Sequence, residues 1–208
     1  EQTEDVVCFG NRKIAIARDE AFNFMYRENV EALKRAGEVV FFSPLRDKSL
    51  PEADMVYFPG GYPELHLAEL AANEGMRQSV RKYCENGGRV LAECGGMMYL
   101  CDTITDGDGK VYPMAGVLKQ GATMEQMKLK LGYREVRVNG QRIRGHEFHY
   151  SRILPTNEKI PVIGTIYNAK DMVVDTPVYT YKNVLASYIH FYWGECGIDH
   201  FLMLMSQK

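Results

Sequence analysis

The sequence predicts a three-layer α/β fold on a mostly parallel central sheet, and three observations carry that reading. Through about the first hundred residues, short apolar runs bounded by Pro, Gly or Asp alternate with segments of helical spacing. The runs are apolar on both sides, as strands are when helices cover both faces of a sheet. From Val111 onward β-rich pieces dominate, which adds extra strands in the second half. A length of 208 residues suits one sizeable domain that buries its core without metal or disulfide staples.

Taken in order, Lys13 to Ala17 reads as the first strand and Phe22 to Ala36 as the helix after it, closed by Gly37. Val39 to Phe42 and Met55 to Phe58 read as buried strands. Leu65 to Asn86 is expected to be mostly helical, Arg89 to Ala92 a strand, and Gly95 to Cys101 the opening of a further helix. Tyr133 to Val138, Ile143 to Tyr150, Val162 to Tyr167 and Val184 to Ile189 read as strands, with a last apolar helix near Asp199 to Met205. Residues 1–12 are polar and read as a linker, leaving 13–208 as the domain.

Composition narrows the partners. A formal net charge of −2 with no run of Lys and Arg argues against nucleic acid. No stretch approaches the roughly 20 apolar residues that span a bilayer, and Glu1 to Asp5 is not a signal peptide. Five unclustered cysteines form no metal spacing, which suits a reduced, cytoplasmic protein with no metal site.

The chemistry concentrates in four segments. In Arg89-Val90-Leu91-Ala92-Glu93-Cys94-Gly95-Gly96 a buried strand runs straight into a Cys followed by two glycines and a helix-compatible stretch, the layout of a nucleophile elbow. There the helix N-terminus is expected to lower the thiol pKa, and the Gly95 amide can face a developing oxyanion; a buried structural Cys is the bland alternative. Pro59-Gly60-Gly61-Tyr62-Pro63 ends another strand and can expose N–H groups for a second oxyanion donor, or is a plain turn. His190, among aromatics at the end of a late strand, suits a general base for the thiol if the fold brings it beside Cys94, although a lone His is more often a packing residue. Along Arg144 to Ser151, strand alternation puts Glu147 and His149 on one face, as an active-site wall or a solvated sheet face.

Together with Ile14 to Phe24, Phe41-Phe42-Ser43-Pro44-Leu45, Gly60-Gly61-Tyr62-Pro63-Glu64 and Gly145-His146-Glu147-Phe148-His149-Tyr150-Ser151, these segments resemble the C-terminal glutaminase domain of the cobyrinic acid a,c-diamide synthase and cobyric acid synthase family, from about residue 13 to residue 194. The resemblance implies a class I glutamine amidotransferase-like, flavodoxin-like fold. It implies Cys94 as nucleophile on glutamine, His190 as base, and the amides of Gly61 and Gly95 as oxyanion hole. It further implies a partner, an N-terminal ATP-dependent synthetase domain of the same polypeptide. That domain would hold ATP and Mg and take the released ammonia to the a and c carboxylates of a corrinoid bound mainly there. No G-x-x-x-x-G-K-[ST] loop occurs in this chain, so no cofactor is expected on it.

One position departs from the wider glutaminase pattern: Tyr192 stands where a Glu two residues beyond the His would orient it, which leaves Glu147 or Glu195 as orienter, or a Cys–His dyad. Three other readings stay open. They are a stand-alone Cys–His hydrolase or peptidase on the same scaffold, the glutaminase domain of a related tetrapyrrole amidase, and a silent docking module using apolar surface around Met97, Met98 and the last helix.

Overall fold

The computed structural model describes residues 12–194 and residue 198. Residues 1–11 of the expected linker and the helix near Asp199 to Met205 lie outside the described residues. The first half runs β1 (Lys13–Ala17), α1 (Arg27–Ala36), β2 (Glu38–Phe42), β3 (Met55–Phe58), a single 3₁₀ turn at Pro63–Leu65, α2 (Leu67–Ala72), α3 (Glu74–Glu85), β4 (Arg89–Glu93) and α4 (Gly95–Leu100). The second half adds β5 (Cys101–Thr105), β6 (Val111–Pro113), β7 (Leu118–Thr123), β8 (Lys130–Val138), β9 (Gln141–His149), β10 (Arg152–Ile153), β11 (Thr165–Asn168), β12 (Val178–Tyr181), β13 (Val184–Ser187) and β14 (Ile189–Phe191).

The central sheet has six strands in the order β12-β13-β4-β3-β1-β2. All its pairs are parallel except the β12–β13 hairpin, so its parallel part follows the flavodoxin-like order. Strand alternation divides the core between its two faces. Ala15, Val56, Phe58, Val90 and Ala92 pack on one side with Leu70, Met76 and Val80 of α2 and α3 and with Met97 and Leu100 of α4. Ile14, Ile16, Tyr57, Leu91 and Leu185 pack on the other with Leu33 of α1 and with Val136, Ile143, Ile189 and Phe191. Those last four belong to a four-stranded sheet, β11-β8-β9-β14, and a second four-stranded sheet, β10-β7-β5-β6, adds Ile104, Leu118 and Ala122 to the first side. The expected extra strands are therefore two sheets flanking the parallel one. Among the described residues no helix is long and apolar enough to cross a membrane.

Four expected elements change. The first helix starts at Arg27 rather than Phe22 because the buried Asp19 carboxylate accepts the N–H groups of Ala21, Phe22 and Leu45 and the Ser43 hydroxyl, holding residues 19–24 as a loop. The long helix from Leu65 splits at Asn73, whose amide donates to Pro44 O and Asp47 O at 2.8 Å while its oxygen caps α3. Cys101 opens β5 instead of continuing α4. The strand expected over Val184 to Ile189 breaks at Tyr188, whose ring stacks on His149 with centroids 3.6 Å apart, and the chain passes from the central sheet into β14 of a different sheet. Met97 and Met98 are buried, so the apolar surface they were expected to offer a docking partner is core.

Candidate active site

β4 carries Leu91 and Glu93 to one face and Val90 and Ala92 to the other, and the chain reverses at Cys94 between β4 and α4. Cys94 has φ 48° and ψ −109°, a left-handed conformation that costs a residue with a Cβ on the order of 1–3 kcal/mol. The turn is held because Cys94 N–H donates to Ser187 O at 2.7 Å and Cys94 O accepts from Met98 N–H at 3.0 Å. The glycines that follow permit close contact: a Cβ on Gly95 would stand 2.7 Å from Pro63 Cδ, and one on Gly96 would stand 2.3 Å from Phe58 O.

The resting thiol is not a thiolate. Burial pushes Cys94 up to about 12, the charge of nearby Glu64 adds to this, and the hydrogen bond from the Gly95 amide opposes it. The lowering expected from a helix N-terminus is outweighed, since α4 has only six residues and Cys94 is 6% exposed. Its Sγ–H points to Phe148 O, 3.7 Å away.

The glycine loop after β3 touches both ends of the site. Gly61 has φ 156°, and a Cβ there would stand 2.1 Å from Ala21 O. A Cβ on Gly95 would lie 3.2 Å from Gly61 N, so the two glycines nominated as oxyanion donors have adjoining backbones. On the other side of the loop, a Cβ on Gly60 would stand 2.3 Å from His190 Cε1.

His190 sits in β14, in register with His146 of β9. Its ring stacks on His146 with centroids 4.8 Å apart and planes 12° apart, and Phe24 meets it edge-on at 4.7 Å. Phe24 is placed by its N–H bond to Gly60 O at 3.0 Å, and His146 by the Tyr26 hydroxyl at its Nδ1. Burial, then the neighbouring His146 and His149, lower the His190 pKa to about 3, so the imidazole rests neutral. Cys94 and His190 open onto one cavity of about 640 Å³, whose wall includes Phe24, Gly61, Tyr62, Leu131, Tyr133 and Phe148. A neutral thiol and a neutral imidazole on one cavity, beside adjoining glycine amides, suit nucleophilic attack on a carbonyl with proton transfer at the moment of attack.

Glu147 does not orient His190. Its carboxylate accepts from Arg134 Nε at 2.7 Å, from Thr176 Oγ1 at 2.9 Å and meets His149 Nε2 at 2.8 Å. Burial alone would raise its pKa, but the bond to His149 and the charges of Lys130 and Arg134 hold it down at about 2. Glu147 and His149 do share a face, as alternation requires, and Glu147 reaches the cavity wall together with its neighbours His146 and Phe148. Glu195 lies outside the described residues. Among the described residues His190 Nδ1 has no hydrogen-bond partner. Sequence alone does not make Phe24, Gly60 and His146 neighbours of His190. Each of the three stands inside one of the motifs quoted above, but no signal in the chain links positions 24, 60, 146 and 190 before the strands pair.

Against this geometry, the model of the CobB/CobQ-like glutamine amidotransferase domain matches residues 13–196. The cobyrinate a,c-diamide synthase of Salmonella typhimurium is 37% identical over 191 residues, covering 88% of this chain and 42% of that protein. The hydrogenobyrinate a,c-diamide synthase of Pseudomonas aeruginosa is 40% identical over 181 residues, covering 86% of this chain and 41% of that protein. The chain thus spans about two fifths of the length of these relatives. A solved glutamine amidotransferase shares the fold at 23% identity, with a TM-score of 0.58 over 93% of this chain and 99% of that one. Since the family model spans nearly all the described residues and its elbow, glycine loop and late-strand His meet at one cavity, the chain belongs to the CobB/CobQ-like glutamine amidotransferase domain family.

Proposed function

We propose that this chain is the glutamine-hydrolysing part of a cytoplasmic a,c-diamide synthase of the cobalamin pathway. In it, ammonia released from glutamine passes to an ATP- and magnesium-dependent synthetase domain of the same polypeptide, which amidates corrin carboxylates. The supporting observation is the meeting of Cys94 and His190 on one cavity in a chain that is 37% to 40% identical to two such synthases.

Cys94 Sγ attacks the side-chain amide carbon of glutamine as His190 takes the thiol proton, and the oxyanion rests on the N–H groups of Gly61 and Gly95. His190 passes the proton to the departing nitrogen, ammonia leaves, and a glutamyl thioester remains on Cys94. Water, deprotonated by His190, attacks the thioester carbon; glutamate leaves and the thiol regains its proton.

The test is covalent labelling of the complete polypeptide with the glutamine analogue 6-diazo-5-oxo-norleucine, with the adduct located by mass spectrometry. One adduct at Cys94, prevented by excess glutamine and slowed at least tenfold in His190→Ala, is the expected result. Absence of labelling in the unaltered complete polypeptide would overturn the reading.

A further inference from the structure

The nucleophile and the base of the proposed glutaminase belong to different sheets. Cys94 follows β4, whose neighbours in the central sheet are β3 and β13, while His190 lies in β14, paired with β9 in the β11-β8-β9-β14 sheet. The β4–β13 ladder brings the chain to Ser187, whose carbonyl accepts from Cys94 N–H, but the chain leaves that sheet at Tyr188, so the last step to His190 is not set by a ladder that β4 shares and needs side-chain contacts to fix it. A buried carboxyl that takes no part in the steps above occupies the gap. Glu93, immediately before Cys94, is 1% exposed. Its Oε1 accepts the N–H of Phe191 at 3.1 Å, and its Oε2 accepts the Tyr57 hydroxyl at 2.7 Å. Phe191 immediately follows His190, and Tyr57 lies in β3 with its ring against Trp193, centroids 5.2 Å apart.

We infer that Glu93 is a positioning residue, tying the strand that carries the nucleophile to the strand that carries the base and so setting the Cys94-to-His190 geometry. The inference rests on the glutaminase reading. Each oxygen has its own donor, and the carbon between them is one side chain away from the Cys94 peptide, so a shift of β14 against β4 must break a buried hydrogen bond. Glu93 points to the face of the sheet opposite α4 and does not line the cavity, so it is not expected to bind glutamine itself. Burial raises the carboxyl to about 8, which keeps it largely neutral near pH 7 and makes glutamine its close mimic. In that amide the oxygen still accepts from Phe191 and the nitrogen donates to the Tyr57 oxygen.

The experiment uses the complete polypeptide and measures glutamine hydrolysis per Cys94 that the analogue labels, so that misfolded molecules do not count. Glu93→Met combined with Tyr57→Phe removes the carboxyl and the hydroxyl together and leaves apolar groups of similar shape, so that of the two donors to Glu93 only the Phe191 N–H loses its acceptor, which preserves folding better than Glu93→Met alone. This variant is expected to lose at least twentyfold in kcat per labelled site with KM within threefold of the unaltered protein. Glu93→Gln is expected to keep at least a third of the unaltered kcat. If the double variant does not fold, Glu93→Asp decides: its carboxyl is one methylene too short to hold Phe191 and Tyr57 together, and a fivefold or greater fall in kcat at constant KM is expected. Unchanged kcat per labelled site in the folded Met or Asp variant, or an equal loss in the Gln variant, would overturn the role of Glu93. Failure of the unaltered polypeptide to label would instead strike the glutaminase reading itself.

Discussion

At the scale of single residues, the candidate base is held by packing. His190 Nδ1 has no hydrogen-bond partner among the described residues, and the ring is fixed by stacked His146, by the edge of Phe24 and by the backbone of Gly60. Gly60 is the most sensitive of these contacts, because it works through what it lacks. A methyl group there would stand 2.3 Å from Cε1 and 2.9 Å from Nδ1 of His190, the first of them more than an ångström inside ordinary contact. The ring or the glycine loop must then move, and a displacement of about 1 Å in a reacting group costs roughly a hundredfold in rate. Gly60→Ala is therefore expected to lower the rate of Cys94 labelling by the glutamine analogue about a hundredfold, with an unchanged far-ultraviolet circular dichroism spectrum. A labelling rate within threefold of the unaltered protein would mean that the loop yields and that His146 and Phe24 suffice to place the ring.

At the scale of elements, α1 is tied to the end of β14 by one buried side chain. Asn29 Nδ2 donates to Phe191 O at 2.7 Å and its Oδ1 accepts from Trp193 N–H at 3.0 Å. Asn29→Ala removes two buried hydrogen bonds, one donated to Phe191 O and one accepted from Trp193 N–H, and losing a buried partner costs about 1–3 kcal/mol. A loss of about 2–4 kcal/mol in urea unfolding is expected, and a loss below about 0.5 kcal/mol would show that the segment finds other partners. The same tie shows what sequence could and could not reveal. Met55–Phe58 forms where it was expected, because a short run buried on both sides has few alternatives. The elbow was legible because strand, Cys and glycines are contiguous. The first helix begins five residues later than its apolar spacing predicts, since Phe22 and Phe24 mimic helical spacing while the first fills the core and the second reaches His190. His190 stood out as a candidate, but its sheet did not: the break at Tyr188 depends on His149, thirty-nine positions earlier, and Asn29 meets Phe191 across the whole fold. Long-range pairing of that kind leaves no local periodicity to read.

At the scale of the whole molecule, the buried groups His190, Glu147 and Glu93 make stability depend on pH, and their signs differ. His190 falls from the ordinary 6.5 to about 3, so its contribution is present above pH 6.5 and is lost as pH falls toward 3. Glu147 falls from 4.5 to about 2, so its contribution is present above pH 4.5 and is lost as pH falls through 2. Glu93 rises from 4.5 to about 8, so its contribution is present below pH 4.5 and is lost as pH rises through 8. Each full proton of difference between folded and unfolded chain gives a slope of about 1.4 kcal/mol per pH unit. Between pH 4.5 and 6.5 the slopes of His190 and Glu93 oppose each other. Below pH 4.5, His190 and Glu147 both destabilise, and above pH 6.5 Glu93 acts alone among the three. The Gln variant at position 93 removes that last slope and leaves the other two. Urea unfolding at pH 6.5 and pH 8 is therefore expected to show the unaltered protein losing up to about 2 kcal/mol across the interval relative to Glu93→Gln. At pH 5 to 6.5 the variant should instead gain stability with rising pH, because the opposing carboxyl is gone. Parallel curves for the two proteins would mean that Glu93 titrates in the fold as it does in the unfolded chain, and that its oxygens accept from Tyr57 and Phe191 as an ordinary carboxylate.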